Sequence, residues 1–175
     1  MHSLPPMSET TTTVTAIDET IRISVSGEIA ATPEQVLAAT VDFSERRERV
    51  FPAVSMRRLT LHSLGTTTAD VTEGTRAGPF VFWERCTYDW SQPGQVSAIV
   101  TDSNIYAFPG SLWELTATNT AAGSRVVMTW TRRFQKRPLG RFMGFVYRHD
   151  GKRAFTKYAR QILANLVQDH DDARQ

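Results

Sequence analysis

The chain predicts an α+β fold, with a curved antiparallel sheet of about six to seven strands wrapped around one long C-terminal helix. Three features predict it. From Met56 to Phe134, apolar and polar residues alternate in segments separated by turn signals, which is the period of half-buried strands. After Pro138 the period changes, and Phe155, Tyr158, Ile162 and Leu166 share one helical face. Ahead of both lie one alternating strand and a capped helix. Consecutive hairpins give an antiparallel sheet with one face to cover, and the last helix is the only large element left to cover it. A twisted sheet of this many strands curls around that helix, and a pocket would form between the two.

The elements follow in order. Residues 1–20 are rich in Ser, Thr and Pro, include Thr10 to Thr13, and read as a flexible N-terminal tail. Ile21, Ile23 and Val25 alternate with Arg22, Ser24 and Ser26 in a half-buried strand. Thr32 can cap a helix, Pro33 suits its first position, and Gln35 can close a capping box. Val36, Leu37, Thr40 and Val41 supply its apolar stripe. Asp42 to Arg49 reads as a short polar helix or turn that ends at Phe51-Pro52.

Strands are then expected around Leu59–Ser63, Thr67–Glu73, Phe80–Trp90 and Gln95–Ser103. Ser91-Gln92-Pro93-Gly94 is a turn, with Pro and Gly at its third and fourth positions. Ser111–Thr118 and Arg125–Phe134 form a hairpin across Asn119–Ser124. Pro138 starts the last helix. Projected backwards, its stripe meets Gly151, Tyr147 and Gly144, while Phe142, Phe145 and Val146 point elsewhere. The helix therefore bends near Gly151, or buries several faces in its first half under something besides the sheet. Residues 169–175 are read as a C-terminal tail.

Composition bounds the function. A chain of 175 residues, 41% hydrophobic and 22% charged, is expected to be one compact soluble domain. No apolar stretch approaches the roughly 18–20 residues that span a bilayer. The single cysteine, Cys86, excludes an intrachain disulfide framework, and the scattered His2, His62, His149 and His170 point to no metal site. No cofactor is implied. The N-terminus has no basic start followed by an apolar run, so a cytoplasmic location is expected. The net charge of +2 conceals a basic segment, Arg125 to Arg160, where the only acid is Asp150. That segment reads as a solvated face, or as a peripheral surface for membrane phosphates or an anionic partner. Nucleic acid is not expected, because the aromatics belong to inner faces and do not interleave with the bases.

Three stretches resemble the START/Bet v 1-like (SRPBCC) superfamily, in its bacterial polyketide cyclase/dehydrase-like branch. They are Ala31-Thr32-Pro33-Glu34-Gln35-Val36 with Asp42-Phe43, then Val71 to Arg76, then Trp113-Glu114-Leu115 with Gly123 to Trp130. The resemblance covers residues 21–168. It implies a helix-grip fold enclosing an apolar cavity and carries over no catalytic set. Members of the superfamily include polyketide aromatases/cyclases and lipid and quinone binders.

Strand parity then assigns faces. Phe80, Phe82, Glu84, Cys86, Tyr88 and Trp90 share one face and are placed inside, leaving Trp83 outside. Trp113 and Leu115 point inward, as do Val126, Met128, Trp130 and Phe134, and Arg132 falls in the same inward set. The expected ligand-binding residues are Phe80, Phe82, Glu84, Tyr88, Tyr106, Trp113, Met128, Trp130, Phe134 and Phe142. An inward Glu84 would have a raised pKa and could serve as a general acid or base, or it could pair with Arg132. The expected function is binding of a hydrophobic or aromatic small molecule such as a lipid, polyketide or quinone. The alternatives are a polyketide cyclase/dehydratase using Glu84, and an interaction module using the basic C-terminal region.

Overall fold

The computed structural model describes residues 10–17, 19–77 and 80–172. One antiparallel sheet of eight strands carries the order β1-β2-β8-β7-β6-β5-β4-β3. The strands are β1 (Thr11–Ile17), β2 (Thr20–Ile29), β3 (Thr60–Leu64), β4 (Thr68–Ala77), β5 (Phe80–Asp89), β6 (Gln95–Ser103), β7 (Leu112–Thr120) and β8 (Gly123–Arg133). Two short helices, α1 (Pro33–Thr40) and α2 (Arg46–Val50), and a single 3-10 turn at Met56–Arg58 bridge β2 and β3. The long helix α3 runs from Pro138 to Asp172.

The count of eight corrects the expected six to seven, and the extra strand lies in the expected tail. Thr11–Ile17 pairs with β2, from Thr11 opposite Ser26 to Ile17 opposite Thr20. The β-branched threonines that hid any apolar period suit an edge strand. Thr156 of α3 fastens it further, donating to Thr12 Oγ1 at 2.8 Å. The other end is corrected too. Helix α3 continues through Asp172, so the expected tail at 169–175 is helical over most of its length, and 173–175 lie outside the described residues.

Local chemistry explains the boundaries. The Thr32 capping box forms, with Gln35 N donating to Thr32 Oγ1 at 3.4 Å and Thr32 N donating to Gln35 Oε1 at 2.8 Å. The sheet grips α3 through two glycines. A Cβ at Gly27 of β2 would stand 2.7 Å from Leu163 Cδ1, and one at Gly151 of α3 would stand 3.3 Å from Ile23 Cδ1. Helix α3 packs chiefly against β2 and β1, at one side of the sheet. That off-centre seat leaves β4–β6 uncovered by the helix and makes room beneath them.

The helix is uninterrupted at Gly151. Its first half is not covered as expected: Phe142 and Phe145 are 59% and 60% exposed. Among the described residues, no helix is long and apolar enough to cross a membrane.

Candidate functional site

Between the curved sheet, the Phe51–Val54 segment and α3 lies a partly open cavity of about 330 Å³. Six of the ten expected ligand-binding residues line it: Phe82, Glu84, Tyr88, Tyr106, Trp113 and Trp130. Met128 is fully buried in the core behind this wall. Phe134 packs against Tyr106 and Tyr147, with ring centroids 5.6 and 4.9 Å away. Two placements are corrected. Phe80 is 51% exposed at the first position of β5, stacked on Phe82 at 6.3 Å. Phe142 projects from α3 into solvent, away from the stripe that holds the helix to the sheet. Trp83, expected outside, is half-buried and contributes to the lining.

Helix α3 supplies the opposite wall through Met143, Tyr147, Phe155 and Tyr158. Trp130 closes the seam against Phe155 and Tyr158, at 5.0 and 6.1 Å. Aromatic surfaces on both sides give a hollow suited to flat or chain-like apolar guests.

Two buried ion pairs interrupt this apolar lining. Strand pairing sets Glu73 of β4 directly opposite Glu84 of β5. Each carboxylate has its own arginine. Arg47 of α2 is 2% exposed and donates from Nε to Glu73 Oε1 at 2.7 Å. It also donates from Nη2 to Tyr88 OH at 2.7 Å and from Nη1 to the Thr40 carbonyl. Tyr88 OH donates in turn to Glu73 Oε2 at 2.8 Å. The guanidinium lies 4.1 Å from the Phe51 ring centroid and 5.1 Å from that of Phe43, within cation–π range. In this network both Glu73 oxygens and the Tyr88 hydroxyl are matched.

The second pair is not closed. Arg132 of β8 is 5% exposed and reaches Glu84 Oε1 from Nη2 at 3.3 Å. Its guanidinium lies over the Tyr106 ring, 4.4 Å from the centroid. Tyr106 and Tyr147 share a hydroxyl–hydroxyl hydrogen bond of 2.7 Å beside it. Arg132 Nε, Arg132 Nη1 and Glu84 Oε2 are buried and make no hydrogen bond with the protein. Burial pushes the Glu84 carboxyl above the usual glutamate range, although Arg132 pulls it down and Glu73 adds to the rise. Burial also pushes the hydroxyls of Tyr106 and Tyr147 up, so both are neutral donors at physiological pH. Cys86, which shares this face, has its thiol pushed up by burial, which disfavours the thiolate.

Sequence reasoning expected α3 as the facing wall but missed Arg47 and Glu73, and it did not single out Met143, Phe155 and Tyr158 as lining residues. Parity could have found Glu73, since Ala69, Val71 and Glu73 alternate inward along β4. Among the described residues, no group of three His, Cys, Asp or Glu could hold a metal ion.

Comparison with known proteins agrees with this geometry. Solved structures share the fold at low identity. TTHA0849 from Thermus thermophilus superposes with a TM-score of 0.67 at 15% identity, over 89% of this chain and 99% of that one. The Zhui aromatase/cyclase from Streptomyces sp. R1128 gives 0.62 at 13%, over 89% and 95%. Ginseng major latex-like protein 151 from Panax ginseng gives 0.57 at 7%, over 86% and 97%. No curated protein matches the sequence. The model of the family described as "Polyketide cyclase / dehydrase and lipid transport" matches residues 20–170. With that match spanning nearly the whole chain and the helix-grip architecture beneath it, the chain belongs to this family.

Proposed function

We propose that the chain binds one apolar or aromatic small molecule, of lipid, polyketide or quinone type, that carries at least one oxygen. The observation that supports this most is the unfinished Arg132–Glu84 pair on the wall of an otherwise apolar cavity. A buried polar group without a partner costs about 1–3 kcal/mol. A guest with a carbonyl or hydroxyl oxygen supplies acceptors to Arg132, and a guest hydroxyl can donate to Glu84 Oε2. Its hydrocarbon body then meets Phe82, Trp113 and Trp130.

Tryptophan fluorescence and native mass spectrometry test this, because Trp113 and Trp130 both line the cavity. A naphthoquinone and naphthalene make a matched pair of probes. The double change Arg132→Met with Glu84→Gln removes both charges together, so neither is left stranded. It should weaken the quinone about tenfold or more and leave naphthalene unchanged. Equal weakening of both probes, or no binding of either by the wild type, would overturn the proposal.

A second reading, catalysis of ring closure, is favoured by the raised Glu84 pKa. Glu84 would take a proton alpha to a carbonyl, Arg132 would hold the enolate oxygen, the enolate carbon would bond to a second carbonyl carbon, and the resulting alkoxide would take back the proton from Glu84 by way of the Tyr106–Tyr147 hydroxyls. For that reading, Glu84→Gln should preserve binding of a poly-β-carbonyl probe and slow its cyclisation by about 10²-fold or more. Unchanged turnover would remove Glu84 as the base.

A further inference from the structure

Four large apolar side chains lie exposed at one end of the molecule: Phe80, Phe108, Phe142 and Phe145. Hydrogen bonds tie their segments together. Asn104 Oδ1 accepts from Trp83 N at 3.0 Å, and Asn104 Nδ2 donates to the Val81 carbonyl at 2.8 Å. These bonds hold the Asn104–Phe108 loop to the start of β5. The Tyr106–Tyr147 hydroxyl bond holds the same loop to the first half of α3. Phe82, Tyr106, Met143 and Tyr147, from these same segments, line the cavity, while Phe142 and Phe145 stand on the opposite, outward face of α3.

The surroundings are basic. From Arg133 to Arg153 there are seven arginines and lysines, and the only acid is Asp150. Arg133 and Lys136 share Glu19, at 3.6 and 3.2 Å, while Arg137 and Arg141 are exposed beside Phe142. On α3, aromatic and cationic residues therefore do interleave, contrary to the expectation that they would not. Phe142 and Phe145, three residues apart on α3, expose an apolar pair rimmed by charge, and exposed apolar surface of that kind marks an interaction site.

We infer that this end of the molecule docks on the surface of an anionic bilayer. Phenylalanine has no polar handle and suits the acyl boundary, while arginines beside it suit lipid phosphates. A second copy fits poorly, because an isologous contact would press two collars of like charge together. The inference does not rest on a guest in the cavity.

Vesicle flotation of the full chain tests it. Vesicles of equimolar phosphatidylcholine and phosphatidylglycerol are compared with phosphatidylcholine alone. The protein should float with the anionic vesicles, less so as salt rises, and only weakly with the neutral ones. Phe142→Ser with Phe145→Ser should lose about tenfold per ring. Arg137→Gln with Arg141→Gln should lose about fivefold per charge, on anionic vesicles only. All four side chains are exposed, so circular dichroism should be unchanged. Probe binding in the cavity, read by tryptophan fluorescence, should also survive, which separates a failure here from a failure of the ligand reading. Equal affinity for both vesicle types, or unaltered flotation of the phenylalanine variant, would overturn the inference. So would a dimer in sedimentation that this variant dissolves, or tighter binding to single-stranded DNA than to vesicles.

Discussion

Replacing Arg47 by alanine should remove about 3–5 kcal/mol of folding stability, measured by guanidinium unfolding. That is a large share of the roughly 5–15 kcal/mol that holds a typical domain together. The arginine is fully enclosed, so its loss strands Glu73 as a buried charge and leaves Tyr88 OH and the Thr40 carbonyl short of a donor. It also opens a void between Phe43, Phe51 and Tyr88. The double change Arg47→Met with Glu73→Leu should recover much of the loss, because an apolar pair of similar volume replaces the ions. A loss below about 1 kcal/mol for Arg47→Ala, or a double variant no better than the single, would contradict this account.

Gly123→Ala should cost about 2–5 kcal/mol, combining backbone strain with overpacking. Gly123 has φ +139° at the first position of β8, directly after the turn from β7, a conformation that L side chains rarely adopt. Its Cβ would stand 2.3 Å from the Ile29 carbonyl oxygen and 2.6 Å from Ala30 C, and main chain cannot rotate aside. The next residue, Ser124, is completely buried and donates to the Ala31 carbonyl at 2.7 Å, so the turn cannot drift outward without breaking that bond. Gly94 provides the comparison. It has φ +75°, and its Cβ would meet only the Ala117 carbonyl oxygen, at 3.1 Å. Gly94→Ala should cost about 1–2 kcal/mol. Thermal unfolding that ranked Gly94→Ala as the more damaging change would refute the close approach at Gly123.

The elements most legible in the sequence were those whose period is set by one buried face. Gln95–Ser103, the Thr32 capping box and the Pro138 helix start are found at the positions their local chemistry indicates. Strand β1 was passed over because its run of threonines shows no apolar–polar alternation, although their β-branching favours a strand. At the site, parity brought Phe82, Glu84, Tyr88, Trp113 and Trp130 to the hollow, and it placed Arg132 inward despite its charge. Arg47 could not be found this way. It stands in the charged run Glu45 to Arg49, and its burial is decided by Glu73, a partner on another element. Phe142 failed for the reverse reason. Helical spacing shows which residues share a face, yet an aromatic on a second face can equally be covered or bare.

The two arginines also have a mechanical consequence. One reaches in from a short helix, the other from the far strand, and both end on a single rung of the β4–β5 ladder, where Glu73 faces Glu84. They act as struts across the chamber and brace its walls from within. A room propped open in this way need not be wedged apart by its occupant, so little conformational freedom remains to be lost on entry. For the guest proposed above, shape selection would then fall to the walls themselves.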